Sequence, residues 1–240
     1  ALLAGGGYGE TVVSHQDHVL PVPEGLDFFE AAALPEVFAT AWLNLYMLGG
    51  LQPGQKVLLH AGASGVGTAA IQLCKGLDNP VFVTVGTEEK LEFCRQLGAS
   101  AGHLRTSGDF EPVVKEWAGK GGVAAILDPV GGNYLEQNVK CLGTVGSLII
   151  IGLMGGRSGP LDLGRLLVKR ISVVGSTLRS RSDASKADVV RQLREQVWPG
   201  FAEGRFRPVI HSRFPIREAG AALALVADNK TTGKVILELE

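Results

Sequence analysis

The residues best suited to chemistry lie in a glycine-rich turn, Gly62-Ala63-Ser64-Gly65-Val66-Gly67, between the apolar run 56–60 and a helical pattern that opens at Val66. Glycines at a strand-to-helix junction let backbone N–H groups converge on a phosphate at the helix N-terminus, with no side chain in the way. Ser64 takes the second glycine position of G-x-G-x-x-G, so the turn alone is an imperfect match. The strand before it, the helix after it and the strand-like run Val81–Val85 supply the context that a dinucleotide phosphate requires. Ser64 also invites the nucleophile-elbow pattern G-x-S-x-G. That pattern fails at Val66, and the later histidines, His103 and His211, pair with no evident acid.

The end of the second strand bears on which dinucleotide would fit. An NAD site places Asp or Glu there to hold the ribose hydroxyls. Here the stretch is Val85-Gly86-Thr87, with Lys90 one helical turn on and Arg105 at the end of the next strand candidate. A small residue with nearby cations suits a 2′-phosphate, so the expected cofactor is NADPH. Ordinary solvated charges at Lys90 and Arg105 are the plain alternative. Glu88 and Glu89 read as first-turn acids that complement the helix dipole.

These groups need a scaffold, and the hydrophobic rhythm describes one. Strand-length apolar runs at 56–60, 81–85, 102–105, 123–127, 145–151 and 171–176 alternate with helical patterns. In the helix opening at Val66, the positions Val66, Ala69, Ala70, Leu73, Cys74 and Leu77 share one face. Leu91, Cys94 and Leu97 repeat the pattern in the next helix, and 110–118 fits another. Such alternation predicts an α/β fold with a doubly wound parallel sheet covered on both faces. Toward the ends the reading is a short strand at 8–13, helices at 186–201 and 216–227, and a final strand at 235–239.

Composition removes several classes. Glycine is 33 of 240 residues, roughly twice the usual share. It has no triplet period and accompanies 45% hydrophobic residues, so collagen and disorder are both excluded. With 23 basic and 24 acidic residues the net charge is −1, which predicts no pull toward nucleic acid or an anionic membrane. No apolar run is read as long enough to span a bilayer. Cys74, Cys94 and Cys141 form no Cys-x-x-Cys pair and are odd in number, which predicts a reducing, cytoplasmic location. Cys74 and Cys94 fall on apolar helix faces and read as core. His15 and His18 are three apart but lack neighbours with zinc spacing, so no metal is expected. His60, at the strand end, reads as structural.

Several longer stretches resemble a known family. They are ALPEVFATAWLNLY (33–46), HAGASGVGTAAIQL (60–73), LDPVGGNYLEQNVKCL (127–142), IGLMGG (151–156) and GKVILEL (233–239). Together, in this order, they resemble the zinc-free medium-chain dehydrogenase/reductases, in their NADPH-dependent quinone oxidoreductase branch. The resemblance implies a Rossmann NADP-binding domain over 33–181. It further implies that 1–32 and 182–240 belong to a partial GroES-like β domain whose earlier part precedes Ala1. By position, Ser64, Gly65 and Val66 would meet the pyrophosphate, and Gly86, Thr87 and Lys90 the 2′-phosphate. Arg105 stands where the nearest relatives usually carry Tyr. Thr40, Val130, Gly152, Leu153 and Met154 would line the nicotinamide side, with Leu178 and Arg179 approaching it.

The implied activity is hydride transfer from NADPH to a small-molecule quinone or activated enone, with no catalytic acid named. The implied assembly is a homodimer through the edge strand near 171–176. Two other readings remain open: a chain that binds NADPH without turning over substrate, and a reductase of enoyl thioesters.

Overall fold

The computed structural model describes residues 1–239, and the chain divides into two compact units. One comprises Leu43–Ala63 and Ala70–Ser176; the other comprises Ala1–Trp42, Ser64–Ala69 and the chain from Thr177 onward. The sequence reading instead sets the Rossmann portion at 33–181.

The first unit is built on six strands, β1 (Val57–His60), β2 (Val81–Val85), β3 (Ala101–Leu104), β4 (Val123–Asp128), β5 (Leu142–Ile150) and β6 (Ser172–Gly175). Their order is β3-β2-β1-β4-β5-β6 and every pairing is parallel. Val57 lies opposite both Val81 and Ala125, so β1 is the centre from which the two halves wind. Strand order reverses between β1 and β4, which opens a crevice beyond their carboxyl ends.

β1 and β2 are buried along their whole length, as strands covered on both faces must be. On one face Leu58, Phe82, Ile126 and Leu148 pack with Val114 of α5 (Glu111–Ala118) and Val139 of α6 (Leu135–Cys141). On the other, Val83 meets Leu91 and Cys94 of α4 (Glu88–Leu97) around Gly62 and Gly102. Cys74, at the end of α3 (Gly65–Gly76), is fully buried, as is Cys94, and all three cysteines are free. α7 (Leu163–Lys169) leads into β6.

The second unit holds α1 (Phe28–Ala32), α2 (Pro35–Trp42), α8 (Asp183–Gln196), α9 (Pro199–Ala202), α10 (Ala219–Ala227) and a parallel pair of strands, β7 (Ile210–Pro215) and β8 (Lys234–Glu238). Its core is aromatic: the Phe38 ring lies 5.1 Å from Phe201 and 6.1 Å from Phe206. Two indoles anchor it, Trp42 Nε1 donating to Gln192 Oε1 at 2.9 Å and Trp198 Nε1 to the Pro21 carbonyl at 2.7 Å.

Three expectations need correction. No strand forms at 8–13; Tyr8 and Val13 are exposed, and the five glycines between Gly5 and Gly25 leave that stretch without a partner strand. Consequently, among the described residues, β structure outside the large sheet is confined to β7 and β8. The helix expected over 186–201 breaks after Gln196, because Pro199 has no N–H to continue the ladder; it resumes as α9. Lastly, the helical run Phe28–Leu48, 21 residues long, contains an 18-residue window with a mean hydropathy of 1.2, long and apolar enough by composition to cross a bilayer. Glu30, Glu36 and Asn44 interrupt the run, which hides it from a search for unbroken apolar residues. Within the protein 61% of that window is buried, as in a core helix.

Gly62 is closely packed in the β1–α3 turn, because a Cβ there would lie 2.7 Å from Val83 Cβ and Cγ1. Gly62→Ala is expected to destabilise the fold by about 1–3 kcal/mol, the usual penalty of overpacking, read as a lower midpoint in urea unfolding. An unchanged midpoint would show that the turn can relax.

Candidate dinucleotide site

The glycine turn leaves β1 with Ala61 in the left-handed region at φ 53°, an uncommon conformation for a residue with a Cβ. Gly62 N–H donates to the Thr84 carbonyl at 3.1 Å, tying the turn to β2. Ser64 then caps α3: its Oγ accepts from Gly67 N–H at 3.1 Å and its carbonyl from Thr68 N–H at 2.8 Å. Thus Ser64 replaces the expected glycine with a hydroxyl that satisfies one of the helix's first donors. Gly65 is approached by Lys234, whose Cδ would lie 2.6 Å from a Cβ at that position, while the Lys234 ammonium stands 3.5 Å from Glu36. Val66 is half-buried beside it.

At the carboxyl end of β2, Gly86, Lys90 and Arg105 come together. A Cβ on Gly86 would lie 3.3 Å from Arg105 Nε, so the guanidinium rests over the glycine. Burial and the Arg105 charge hold the Lys90 ammonium below the ordinary lysine range. Thr87 caps α4, its Oγ1 accepting from Lys90 N–H at 3.3 Å. Glu88 and Glu89 occupy the first turn as expected, and a hydrogen bond from Thr87 holds the Glu89 carboxyl below its usual value.

Val130, Gly152, Leu153 and Met154 also meet, through two loops joined backbone to backbone. Met154 N–H donates to the Pro129 carbonyl at 3.2 Å, Gly155 N–H to Val130 at 2.7 Å, and Gly132 N–H to Gly156 at 2.9 Å. Gly131 allows this contact: its φ is +83°, and a Cβ would lie 2.9 Å from the Gly156 carbonyl oxygen. Leu153 and Met154 remain 49% and 70% exposed, an apolar surface on these loops. Thr40, Leu178 and Arg179 belong to the second unit. There Thr40 Oγ1 donates to Glu36 Oε1 at 3.2 Å within α2, Leu178 is half-buried and Arg179 exposed.

A buried polar thread behind these loops escapes the sequence reading. Asp128 closes β4 and is fully buried. Its Oδ1 accepts from Val130 N–H at 2.6 Å and Gly131 N–H at 3.1 Å, and its Oδ2 accepts from Asn138 Nδ2 at 3.0 Å. Asn138 Oδ1 must then accept, so His60 Nε2, 2.7 Å away, carries the proton. His60 Nδ1 is left to accept from Thr84 Oγ1 at 2.8 Å. The rings of Tyr134 and Phe110 flank the imidazole at 4.7 and 4.8 Å. His60 is therefore structural, as expected, but it also links β2 to the loop of Val130. The available signal was the single acid ending the apolar strand Val123–Asp128.

Burial holds the His60 imidazolium pKa below its ordinary value of 6.5, against the pull of Asp128 and Asn138. The folded chain therefore resists a proton that the unfolded chain accepts. Stability is expected to be intact above about pH 6.5 and to fall below it by up to about 1.4 kcal/mol per pH unit. In His60→Gln this slope, read from urea midpoints between pH 5 and 7, should flatten; an unchanged slope assigns it to other groups.

The comparisons with known proteins agree with this geometry. The family model described as zinc-binding dehydrogenase matches residues 65–194. A spectinabilin polyketide synthase system protein of Streptomyces orinoci is 34% identical over 99% of this chain and 10% of its own length. A quinone oxidoreductase-like protein 2 homolog of Nematostella vectensis is 30% identical over 97% of this chain and 64% of its own. The chain thus spans about a tenth and about two thirds of these relatives. Among solved structures, an NAD-dependent alcohol dehydrogenase superposes with a TM-score of 0.84 at 31% identity, covering 98% of this chain and 66% of that one. A mycobacterial protein complexed with NADPH gives 0.80 at 26%, covering 90% and 66%, and the CurK enoyl reductase 0.78 at 29%, covering 93% and 66%. Among the described residues no three His, Cys, Asp or Glu side chains gather as an ion site. The six-stranded sheet, the glycine turn at its switch point and the match over 65–194 place the chain in the zinc-binding dehydrogenase family of oxidoreductases, the medium-chain dehydrogenase/reductases.

Proposed function

We propose that this chain binds NADPH and forms the hydride-transfer unit of a reductase acting on a quinone or activated enone. The observation that carries the cofactor choice is the cation pair at the end of β2. There the Arg105 guanidinium lies over Gly86 and acts on the Lys90 ammonium, with no acid at the strand end. A lysine ammonium whose proton affinity is lowered by burial and by a neighbouring guanidinium suits a 2′-phosphate dianion better than ribose hydroxyls. Likeness to an NAD-dependent enzyme and to an NADPH complex divides evenly, so the assignment rests on these residues.

The first turn of α3, entered through Ser64, Gly65 and Val66, presents backbone donors to the pyrophosphate. Thr87 holds the start of α4, and with it Lys90, in register. The joined loops carrying Val130, Gly152, Leu153 and Met154 form an apolar shelf for the nicotinamide. NADPH, when bound, supplies a hydride to the acceptor. The protein's task is then positioning and exclusion of water, and the proton for the reduced oxygen comes from solvent.

An enoyl thioester as acceptor is the second reading, favoured by the likeness to polyketide synthases and to the CurK enoyl reductase. We further propose a homodimer, supported by the bare edge of β6, with Val173 36% exposed, and by exposed Leu167 and Val168 on the preceding helix. A cytoplasmic setting is supported by three cysteines that are buried and unpaired.

Lys90→Ala is expected to weaken NADPH binding by about 1–3 kcal/mol while leaving NADH nearly unchanged, measured by calorimetric titration. Equal losses for both cofactors would reject the 2′-phosphate assignment. NADPH at a hundred times its Kd should raise stability by about 2.7 kcal/mol. A melting temperature that does not move with NADPH would reject binding itself, whereas a shift without oxidation of NADPH by a soluble quinone would leave a binding chain without turnover. Val173→Lys should convert the dimer to monomer in sedimentation; a wild-type chain already monomeric at micromolar concentration would reject the edge-strand contact.

A further inference from the structure

The amino end of the large sheet carries a second concentration of charge, remote in the fold from the strand ends just described. A cleft of about 490 Å³ opens there, within the size range of small-ligand sites. It is bounded by α5, the glycine-rich segment that precedes β4, the end of α6 and the inner face of α7. Five of its nine lining residues are cations, Lys115, Lys120, Lys140, Arg165 and Lys169, against the single acid Glu116. In a chain of net charge −1 this is a marked local asymmetry.

Two of the five are answered by acids. Lys115 pairs with Glu111, and Lys140 with Glu136 at 2.8 Å and Glu111 at 3.7 Å. For Lys120, Arg165 and Lys169, no carboxylate lies within ion-pair distance among the described residues. Arg165 and Lys169 are instead held by carbonyls at the junction of α6 and β5. Arg165 Nε donates to Val139 at 3.0 Å and its Nη2 to Lys140 at 2.7 Å, while Lys169 Nζ donates to Leu142 at 2.8 Å. A helix C-terminus is stabilised by one or two cations, and these bonds use it to fix two cationic heads in place. Each head keeps further N–H donors beyond those bonds. The cations also oppose one another: burial, then Arg165 and Lys115, depress the proton affinity of Lys169. Gly119 and Gly122, at φ +72° and +69°, add no side chain to the floor. The remaining wall is Cys141, whose thiol burial pushes up to about 12, so it is no nucleophile. The cleft is equipped to bind rather than to react.

We propose that this cleft is a second anion site, which takes the phosphate of a small phosphomonoester or diphosphate through Lys120, Arg165 and Lys169. A compact multivalent anion fits because two fixed cations one turn apart on α7 share the cleft with Lys120 of the glycine-rich segment, and repulsion among the cations is relieved by two charges rather than one. This proposal does not depend on NADPH binding.

Its test is calorimetric titration of the whole chain with inorganic pyrophosphate and with glycerol phosphate at low ionic strength, repeated in saturating NADPH to close the glycine turn. Binding that persists in NADPH, weakens as salt is added, and falls about tenfold in Lys120→Gln is the expected result. Lys120 is exposed and forms no bond that the fold needs, so this variant keeps the fold intact. Lys169→Gln should show the same loss, with circular dichroism confirming its fold. Preference for pyrophosphate over glycerol phosphate would mark a diphosphate ligand, and the reverse a monoester; either supports the site. Absence of heat from both anions, equal response to acetate, or pyrophosphate binding that NADPH abolishes and Lys120→Gln leaves unchanged would overturn it. In those cases Arg165 and Lys169 serve the α6 terminus alone.

Discussion

Asp128 ends β4 with a carboxylate that is 0% exposed, in a place where charge is tolerated only if its oxygens are hydrogen-bonded. That requirement shapes the neighbourhood. The donors come from Val130 and Gly131 of the following loop and from Asn138 of α6, so one side chain sets the turn that leaves the sheet and the helix that returns to it. Asn138 spends its amide on Asp128 and therefore faces His60 with its oxygen, which selects the Nε2–H tautomer and leaves Nδ1 to Thr84. Polar groups on β2, β1, α6 and β4 thus form one directed chain in which each member has a single workable role. The loop that it holds is the loop to which the Gly152–Gly156 backbone binds, so the apolar shelf of Leu153 and Met154 rests at the end of the same thread.

Charge is distributed around this sheet with some economy. At the carboxyl edge Lys90 and Arg105 flank Gly86; at the amino edge Lys120, Arg165 and Lys169 gather without acids. Each group holds a lysine whose proton affinity is depressed by burial and then by neighbouring cations, Lys90 by Arg105 and Lys169 by Arg165 and Lys115. Folding has brought like charges together in both places while the whole chain stays near neutrality. The two differ in their supports. The first stands beside glycine, where a ligand's atoms approach the backbone. The second is tied to the carbonyls that end α6, which fixes its heads but occupies part of their bonding capacity.

Much of the architecture was legible because it rests on local rules. The runs that became β1, β2, β4 and β5 are apolar on consecutive residues, as strands buried on both faces must be, and the helices between them repeat at three and four. The break at Pro199 was also readable, since the missing N–H is a property of that residue. The stretch at 8–13 was not: alternating side chains make a strand only when a neighbouring edge accepts its hydrogen bonds, and none does here. Of the candidate cofactor residues, Ser64 carried a motif, whereas Thr40 and Arg179 were named only by resemblance.

By itself the sequence determined the class of sheet, the position of the glycine turn and the lack of an acid at the end of β2, because each depends on residue types at short spacing. Only the tertiary structure decided the partners of the polar groups. Thr84, His60, Asn138 and Asp128 are distant along the chain, and no periodicity relates a histidine on β1 to an amide on α6. Likewise Lys120 is distant along the chain from Arg165 and Lys169 of α7, and only the fold brings the three to one cleft. Hydrophobic patterning is written in the local chain, but hydrogen-bond and charge partners are chosen by the packing of whole elements, which is a property of the fold.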